Sequence, residues 1–329
     1  ITVEGQGLDA SKSDALSIIS RATEVNAAIH ANDLSVTAGA NRVSADGSVK
    51  AIAGQGATPT VAVDTGALGG MYANRIRLVS SDKGVGVNLG NLNARQGDIQ
   101  LDASGKLTVA NSLASGSLTA KGAGVTLNGS QQAGGALNVA STQDMTLNNA
   151  SLTSGGEMRL TSDGKLQATG GGATSKGALT VNSSQDMALT NARLVGQGNT
   201  TLSSNGKLNI NGGGVSGNGA ALVVSSQKEM TLTKTTLVGQ GKTTLAAGDN
   251  LTVNGGSLSS RGELSATSGQ SMTVANAAVG SDASTTLTSG GTLTANAGSL
   301  SAGKDLTLKG QQLVLDNRSR ADASGNVRL

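Results

Sequence analysis

The sequence repeats itself with a period of about 21 residues over most of its length. Triplets in which two apolar residues flank a third residue recur at nearly constant steps. They begin at Leu107, Val125, Met145, Leu166, Met187, Leu208, Met230, Leu251, Met272, Leu293 and Leu313. A period of this length indicates a repeat architecture in which each unit packs mainly on its neighbours.

Each period contains three short segments with the spacing of β-strands. A second series of apolar segments runs from Ile99 to Val327, and a third runs from Leu152 to Leu300. Apolar and polar residues alternate within a segment, and turn-forming Gly, Asn, Ser and Asp separate the segments. We therefore predict an all-β fold, a right-handed parallel β-helix. This triangular solenoid has coils of about 21 residues, and successive coils lie about 4.8 Å apart.

The composition favours a solenoid over a compact globule. The 329 residues include one Tyr and no Trp, Phe or Cys, whereas a globule of this length buries several aromatic side chains. Regular apolar spacing and a charged fraction of 14% argue against disorder. The net charge of +3 is dispersed, so no nucleic-acid partner is expected, and no apolar run could form a membrane-spanning segment.

Two regions differ in regularity. Residues 97–329 are predicted to form about eleven regular coils without a visible cap, which suggests a piece of a longer β-helix. Residues 1–96 are predicted to form an irregular β-helix segment with an excursion loop at 40–60, which holds the only proline. Within this segment we predict a short flanking helix at 13–29, capped by Ser13 or Asp14. Its apolar face would comprise Leu16, Ile19, Ala22, Val25 and Ile29.

A longer period of two coils overlies the basic one. The residue that opens the first triplet alternates between Met and Leu from Met145 to Leu293. This alternation suggests that the array grew by duplication of a two-coil unit. One copy is a residue longer than the others, and the alignment of Gln185-Asp186-Met187 with Gln227-Lys228-Glu229-Met230 predicts a bulge or longer turn near Lys228-Glu229.

Motifs that could carry chemistry are incomplete. Gly239-Gln240-Gly241-Lys242-Thr243 resembles a phosphate-binding loop, but Thr236 stands where that motif requires glycine. His30 is the only histidine and has no partner spacing for a catalytic triad. The glycine runs at 170–172 and 212–214 lack the Asp of calcium-binding β-rolls.

We therefore predict no catalytic, cofactor-binding or metal site, and no enzymatic activity. Asp102, Asp144, Asp163 and Asp186 are expected to be turn or surface residues. A polysaccharide lyase or hydrolase remains an alternative only if carboxylates converge in a cleft. Six basic residues could form a glycan-binding stripe or simply a solvated face: Arg193, Lys234, Lys242, Arg261, Lys304 and Lys309.

Three segments of the first region resemble a known family. Residues 5–10, 20–27 and 67–79, with Gly84-Val85-Gly86-Val87, resemble the large exoproteins of bacterial two-partner secretion, the filamentous haemagglutinin and contact-dependent growth inhibition group. By this resemblance, these segments look like the region that follows the secretion domain, and the chain is a fragment with the end of the secretion-domain region followed by haemagglutinin repeats.

The resemblance implies a protein secreted to the bacterial outer-membrane surface through an outer-membrane transporter, which a region N-terminal to this chain would engage. The chain would be a structural stalk that projects a distal binding or toxin region. The alternative is an adhesin surface that itself binds glycans of a host or neighbouring cell. A target-cell receptor is a further possible partner, and no cofactor is expected.

Overall fold

The computed structural model describes residues 1–316 and 318–329, and the regular secondary structure in these residues consists of β-strands. The chain divides into two compact units, Ile1–Ser162 and Asp163–Leu329. Apart from one antiparallel hairpin, the strands within each unit pair in parallel with equivalent strands of neighbouring coils. Each unit is therefore a parallel β-solenoid, as the repeat predicts.

The strands of the first unit are β1 (Thr2–Val3), β2 (Leu8–Ser20), β3 (Thr23–Val25), β4 (Ala28–Ala38), β5 (Asn41–Val43), β6 (Val49–Ala51), β7 (Val61–Thr65), β8 (Gly70–Ala73), β9 (Arg75–Ser80), β10 (Gly86–Ala94), β11 (Ile99–Ala103), β12 (Leu107–Ala114), β13 (Leu118–Gly122), β14 (Val125–Ala133), β15 (Leu137–Ser141), β16 (Met145–Ser154) and β17 (Met158–Ser162).

The strands of the second unit are β18 (Leu166–Thr169), β19 (Gly172–Ser175), β20 (Leu179–Ser183), β21 (Met187–Thr190), β22 (Arg193–Gly196), β23 (Thr200–Ser204), β24 (Leu208–Asn211), β25 (Gly214–Gly217), β26 (Ala221–Ser226), β27 (Met230–Gly239), β28 (Lys242–Ala247), β29 (Leu251–Ser260), β30 (Leu264–Ser268), β31 (Met272–Ala275), β32 (Ala278–Ser281), β33 (Thr285–Ser289), β34 (Thr292–Asn296), β35 (Ser299–Ala302), β36 (Leu306–Lys309), β37 (Gln312–Leu315), β38 (Arg320–Ala323) and β39 (Val327–Arg328).

Three faces make up a coil, and we call them A, B and C in chain order. In one coil of the second unit, face A is β21, face B is β22 and face C is β23. Apolar side chains recur in register from coil to coil: Met187 pairs with Leu208, and Leu208 pairs with Met230. All three are fully buried, so the apolar series seen in the sequence are the inward ladders of the solenoid.

Buried serines at the end of face C join the strands to the turns that follow. The hydroxyl of Ser183 donates to the carbonyl of Gly164 at 2.9 Å, and that of Ser204 donates to Gln185 at 2.7 Å. Ser289 makes the equivalent bond to Gln270 at 2.6 Å. Because buried hydroxyls need partners, these bonds hold each C–A turn against the turn of the coil before it.

The corner between faces A and B explains the two-coil period. From Gly129 to Ala297 the first residue of each such corner has a left-handed backbone, with φ of 51° at Asn191, 69° at Gly212 and 49° at Lys234. A coil that opens with Met187 then buries Ala192 at the corner, whereas the coil that opens with Leu208 continues with a second left-handed glycine, Gly213. The alternation of Met and Leu therefore accompanies two alternating corner geometries.

The predicted helix at 13–29 is wrong. These residues belong to β2, β3 and the beginning of β4, and Ile18 in β2 is 5% exposed while Ile19 is 50% exposed. Residue Ile18 pairs with Val36 on the next coil. The predicted helical face included Ile19. The structure instead buries Ile18, because this segment is a strand whose backbone hydrogen bonds are made with β4.

Two local features can be compared with the sequence in detail. The chain leaves face C after Ala38 and rejoins face A at Val61, and between them β5 and β6 form an antiparallel hairpin.

The extra residue of the long copy does not lie near Lys228-Glu229. It lies between Gly217 and Leu222, because Gly196 pairs with Gly217 at a separation of 21 while Thr200 pairs with Leu222 at a separation of 22.

Candidate functional surfaces

The segment that resembles a phosphate-binding loop is an ordinary turn between faces B and C. The amide of Gln240 donates to the carbonyl of Gly217 at 2.9 Å, and the amide of Lys242 donates to Ala220 at 2.9 Å. A phosphate-binding loop needs such amides free for the ligand. Gly241 is required here for a different reason, since a Cβ would lie 2.2 Å from the carbonyl oxygen of Ala220.

His30 lies in an aromatic stack. It is the register partner of Tyr72 on face B, and the two rings stack with centroids 5.3 Å apart at an angle of 22°. The Tyr72 ring lies over Gly70, where a Cβ would be 2.8 Å from it. In the described residues no serine–histidine hydrogen bond accompanies this stack. The arrangement is that of a cross-strand pair that stabilises the sheet.

The acidic residues singled out in the sequence do not converge. Asp102 is on the outer side of face C, whereas Asp144, Asp163 and Asp186 follow one another in successive turns between faces C and A. Across the described part of the chain, no three His, Cys, Asp or Glu residues are placed to hold a metal ion. The acidic cleft that a β-helix lyase requires is therefore not formed by these residues.

Opposite charges alternate along the C–A turns of the second unit. A carboxylate oxygen of Asp186 accepts the backbone amide of Lys207 at 2.9 Å, and the ammonium of Lys207 lies 3.0 Å from a carboxylate oxygen of Glu229. The bond to Glu229 raises the pKa of Lys207 above its ordinary value of 10.5. In the first unit, the hydrogen-bonded Arg75 lowers the pKa of Asp33 below 3.8. These exposed pairs contribute little each, but they favour the observed register.

The six basic residues considered as a stripe occupy separate parts of the second unit. Arg193 begins a face B strand, Lys234 is at an A–B corner, and Lys309 ends a face C strand. The other three lie at the boundary of faces B and C, where the ammonium of Lys242 is 3.7 Å from a carboxylate oxygen of Glu263. The remaining two at this boundary are Arg261 and Lys304. The six residues are thus divided among four locations.

A groove that the sequence did not reveal lies at the C–A corner of the first unit. It has a volume of about 650 Å³, and Lys83, Lys106 and Lys121 are among its lining residues. A short turn lies within it: two residues separate β13 from β14, whereas three separate β11 from β12 and β15 from β16. The 18-residue step from Leu107 to Val125 was the available signal in the sequence.

A second groove continues from the first onto face C. It has a volume of about 310 Å³, and it shares Lys121 with the corner groove and adds Arg159.

The described residues contain no helix that is long and apolar enough to cross a membrane.

Comparisons with known proteins match both ends of the chain. Residues 1–109 match the TPS secretion domain, and residues 273–329 match the haemagglutinin repeat. The first match confirms that the chain holds part of the secretion-domain region, and it corrects the expectation that the segments at 5–10, 20–27 and 67–79 follow that domain, since they lie within the matched residues. No solved structure matches the chain significantly.

Similar proteins include three large nucleases. A tRNA nuclease CdiA of Escherichia coli is 67% identical over 154 residues, which are 47% of this chain and 5% of that protein. A 16S rRNA endonuclease CdiA of Enterobacter cloacae is 59% identical over 53% of this chain and 5% of its own length. A tRNA nuclease CdiA of Yersinia mollaretii is 58% identical over 50% of this chain and 6% of its own length. The chain thus matches about a twentieth of each of these relatives.

Proposed function

Because the chain belongs to the CdiA-like exoproteins of two-partner secretion, which are secreted and displayed at the outer-membrane surface, we propose that it is a non-enzymatic stalk segment. Its role is to hold a distal binding or toxin-bearing region of the same protein away from the cell. The observation that carries the proposal is the coil-by-coil register of buried ladders in each unit. Each coil packs on its neighbours, so length can be adjusted by whole coils without loss of the core.

Secretion is the second part of the proposal. Residues 1–109 match the TPS secretion domain, and we propose that they engage the outer-membrane transporter. The irregular region at residues 1–96 differs from the repeats in its excursion between Ala38 and Val61 and in the Arg21–Asp82 ion pair, whose N–O distance is 2.7 Å. Asp82 also accepts the amide of Ala40 at 2.9 Å, so this pair holds the base of the excursion.

The nuclease activities in the names of the relatives belong to those proteins. For this chain we propose a structural role without catalysis, and the dispersal of its acidic residues described above supports that role. Any target-cell receptor would bind elsewhere in the longer protein or along this stalk.

A deletion of whole coils tests the stalk proposal. Removing Met187–Glu229 joins Asp186 directly to Met230, which is the register partner of Leu208 as Leu208 is of Met187. The shortened chain should remain folded, be exported by the transporter, and be shorter by two coils, about 10 Å, in small-angle scattering. The matched control removes Met187–Asn218, which ends inside a coil and should disrupt the stack. Unfolding of the whole-coil deletion, or equal behaviour of both deletions, would contradict the proposal.

A further inference from the structure

The two connected grooves of the first unit have the charge of a binding site for anions. We call them together the basic trough, defined by its cations Lys83, Lys106, Lys121 and Arg159. One carboxylate, that of Asp102, lines it as well. In the described part of the chain none of the four cations forms an ion pair with a carboxylate, in contrast to Lys207 and Lys242 in the second unit. Their charges are therefore available to a ligand.

The trough extends along the solenoid. Lys83 is in the turn after β9 and Arg159 is in β17, and β9, β11, β13, β15 and β17 are consecutive strands of face C. Four steps of about 4.8 Å correspond to about 19 Å. The small residues Gly122, Ala123 and Gly124 line the corner groove, and Ala140 lines the face C groove. This length suits a ligand of several linked units rather than a single ion.

The lining chemistry indicates which polyanion fits. Between the cations are hydroxyl and amide side chains, including Ser104, Thr119, Asn138, Thr142 and Gln143. Grooves for single-stranded nucleic acid combine cations with aromatic rings that stack on bases, and the trough's lining residues include no aromatic ring. Protein hot spots need large apolar or aromatic anchors, which these lining residues also lack. Lysines bind phosphate as point charges and arginine binds oxyanions with a planar fork, while hydroxyls and amides suit sugar hydroxyl groups.

From this arrangement we propose that the basic trough binds an oligosaccharide that carries phosphate or sulfate ester groups. The esters lie against Lys83, Lys106, Lys121 and Arg159, and the sugar hydroxyls contact the polar side chains between them. The Asp102 carboxylate lowers the affinity of the trough for this ligand, because it repels the ester anions. The site goes beyond the stalk role, and its absence would leave the deletion and export results unchanged.

The test compares two lysine triples in the full 329-residue chain. The trough triple changes Lys83, Lys106 and Lys121 to Gln. The control triple changes Lys176, Lys228 and Lys309 to Gln, which are exposed, likewise unpaired in the described part, and in the second unit. Both triples lower the net charge by the same amount. Probes are phosphorylated mannan oligosaccharide, dextran sulfate and neutral dextran, with dissociation constants from calorimetry and folding checked by circular dichroism.

We expect at least one of the two anionic probes to bind. The trough triple should weaken that binding about tenfold, since each exposed charge pair contributes a factor of about two. The control triple should bind within about twofold of wild type, and Asp102→Asn should bind a few times more tightly. Which probe binds better distinguishes phosphate from sulfate. No binding of either anionic probe, equal weakening by both triples, or equal binding of neutral dextran would overturn the proposal.

Discussion

The change Gly213→Ala tests whether the A–B corner determines how coils stack. Gly213 has a φ of +67°, and a Cβ at this position would lie 2.1 Å from the carbonyl oxygen of Ala192. Side-chain Cβ atoms essentially never approach closer than 3.0 Å, so one backbone must move by about 1 Å. The carbonyl of Ala192 cannot move freely, because it accepts the amide of Gly214 at 3.0 Å.

The expected cost follows from these two contributions. A left-handed backbone costs a non-glycine residue about 1–2 kcal/mol, and loss of the hydrogen bond between Gly214 and Ala192 costs about 1 kcal/mol. We therefore expect local destabilisation of about 2–3 kcal/mol. Because solenoid stability is local, the loss should be greatest in the coils that contain Ala192 and Gly213.

Hydrogen exchange followed by mass spectrometry checks the prediction. Peptides from residues 187–239 should exchange faster in Gly213→Ala than in wild type, and those from residues 264–289 should change little. The control is Gly124→Ala, where the nearest atom to the added Cβ is 3.7 Å away and φ is not in the left-handed range. It should be neutral or slightly stabilising. Exchange of residues 187–239 that is unchanged in Gly213→Ala, or faster by the same factor in both variants, would refute the corner argument.

Three further outcomes are expected. The change Lys234→Gly should raise the stability of its coil by about 0.5–1 kcal/mol in denaturant unfolding, because it relieves a left-handed lysine, and a loss would contradict this. Ile18→Ser should destabilise the chain by about 2–4 kcal/mol while Ile19→Ser changes it by less than about 0.5 kcal/mol, and the reverse order would favour the helix. Asp33, whose pKa its arginine partner lowers, stabilises the fold above pH 3.8, and this contribution disappears as pH falls through the lowered value. The difference in melting temperature between wild type and Asp33→Asn should therefore be constant above about pH 5 and vanish in stronger acid, and a difference that persists there would contradict the assignment.

The solenoid itself could be predicted because its determinants are local and repeated. An inward ladder places aliphatic residues at one position of successive coils, such as Leu208 and Met230, and the two-residue alternation identifies the side that faces inward. The first region was harder, since Val25 and Ile29 fit both a helical face and an alternating strand, and only the inward position of Ile18 separates the two.

The basic trough could not be predicted from the sequence, for a different reason. The residues of the basic trough are 23, 15 and 38 positions apart, and nothing local marks them as neighbours. Their proximity comes from the stacking of coils and from one turn that is a residue shorter than those on either side.

The sequence by itself determined the architecture: parallel coils of about 21 residues, three strands in each, an aliphatic interior and turns rich in glycine and asparagine. Only the tertiary structure decided which residue of an ambiguous pair is buried, where the extra residue near Gly219 is accommodated, and which cations share a groove. The physical reason is that periodicity is a property of one chain segment, whereas register and surface shape depend on the hydrogen bonds and contacts that a segment makes with the coils on either side.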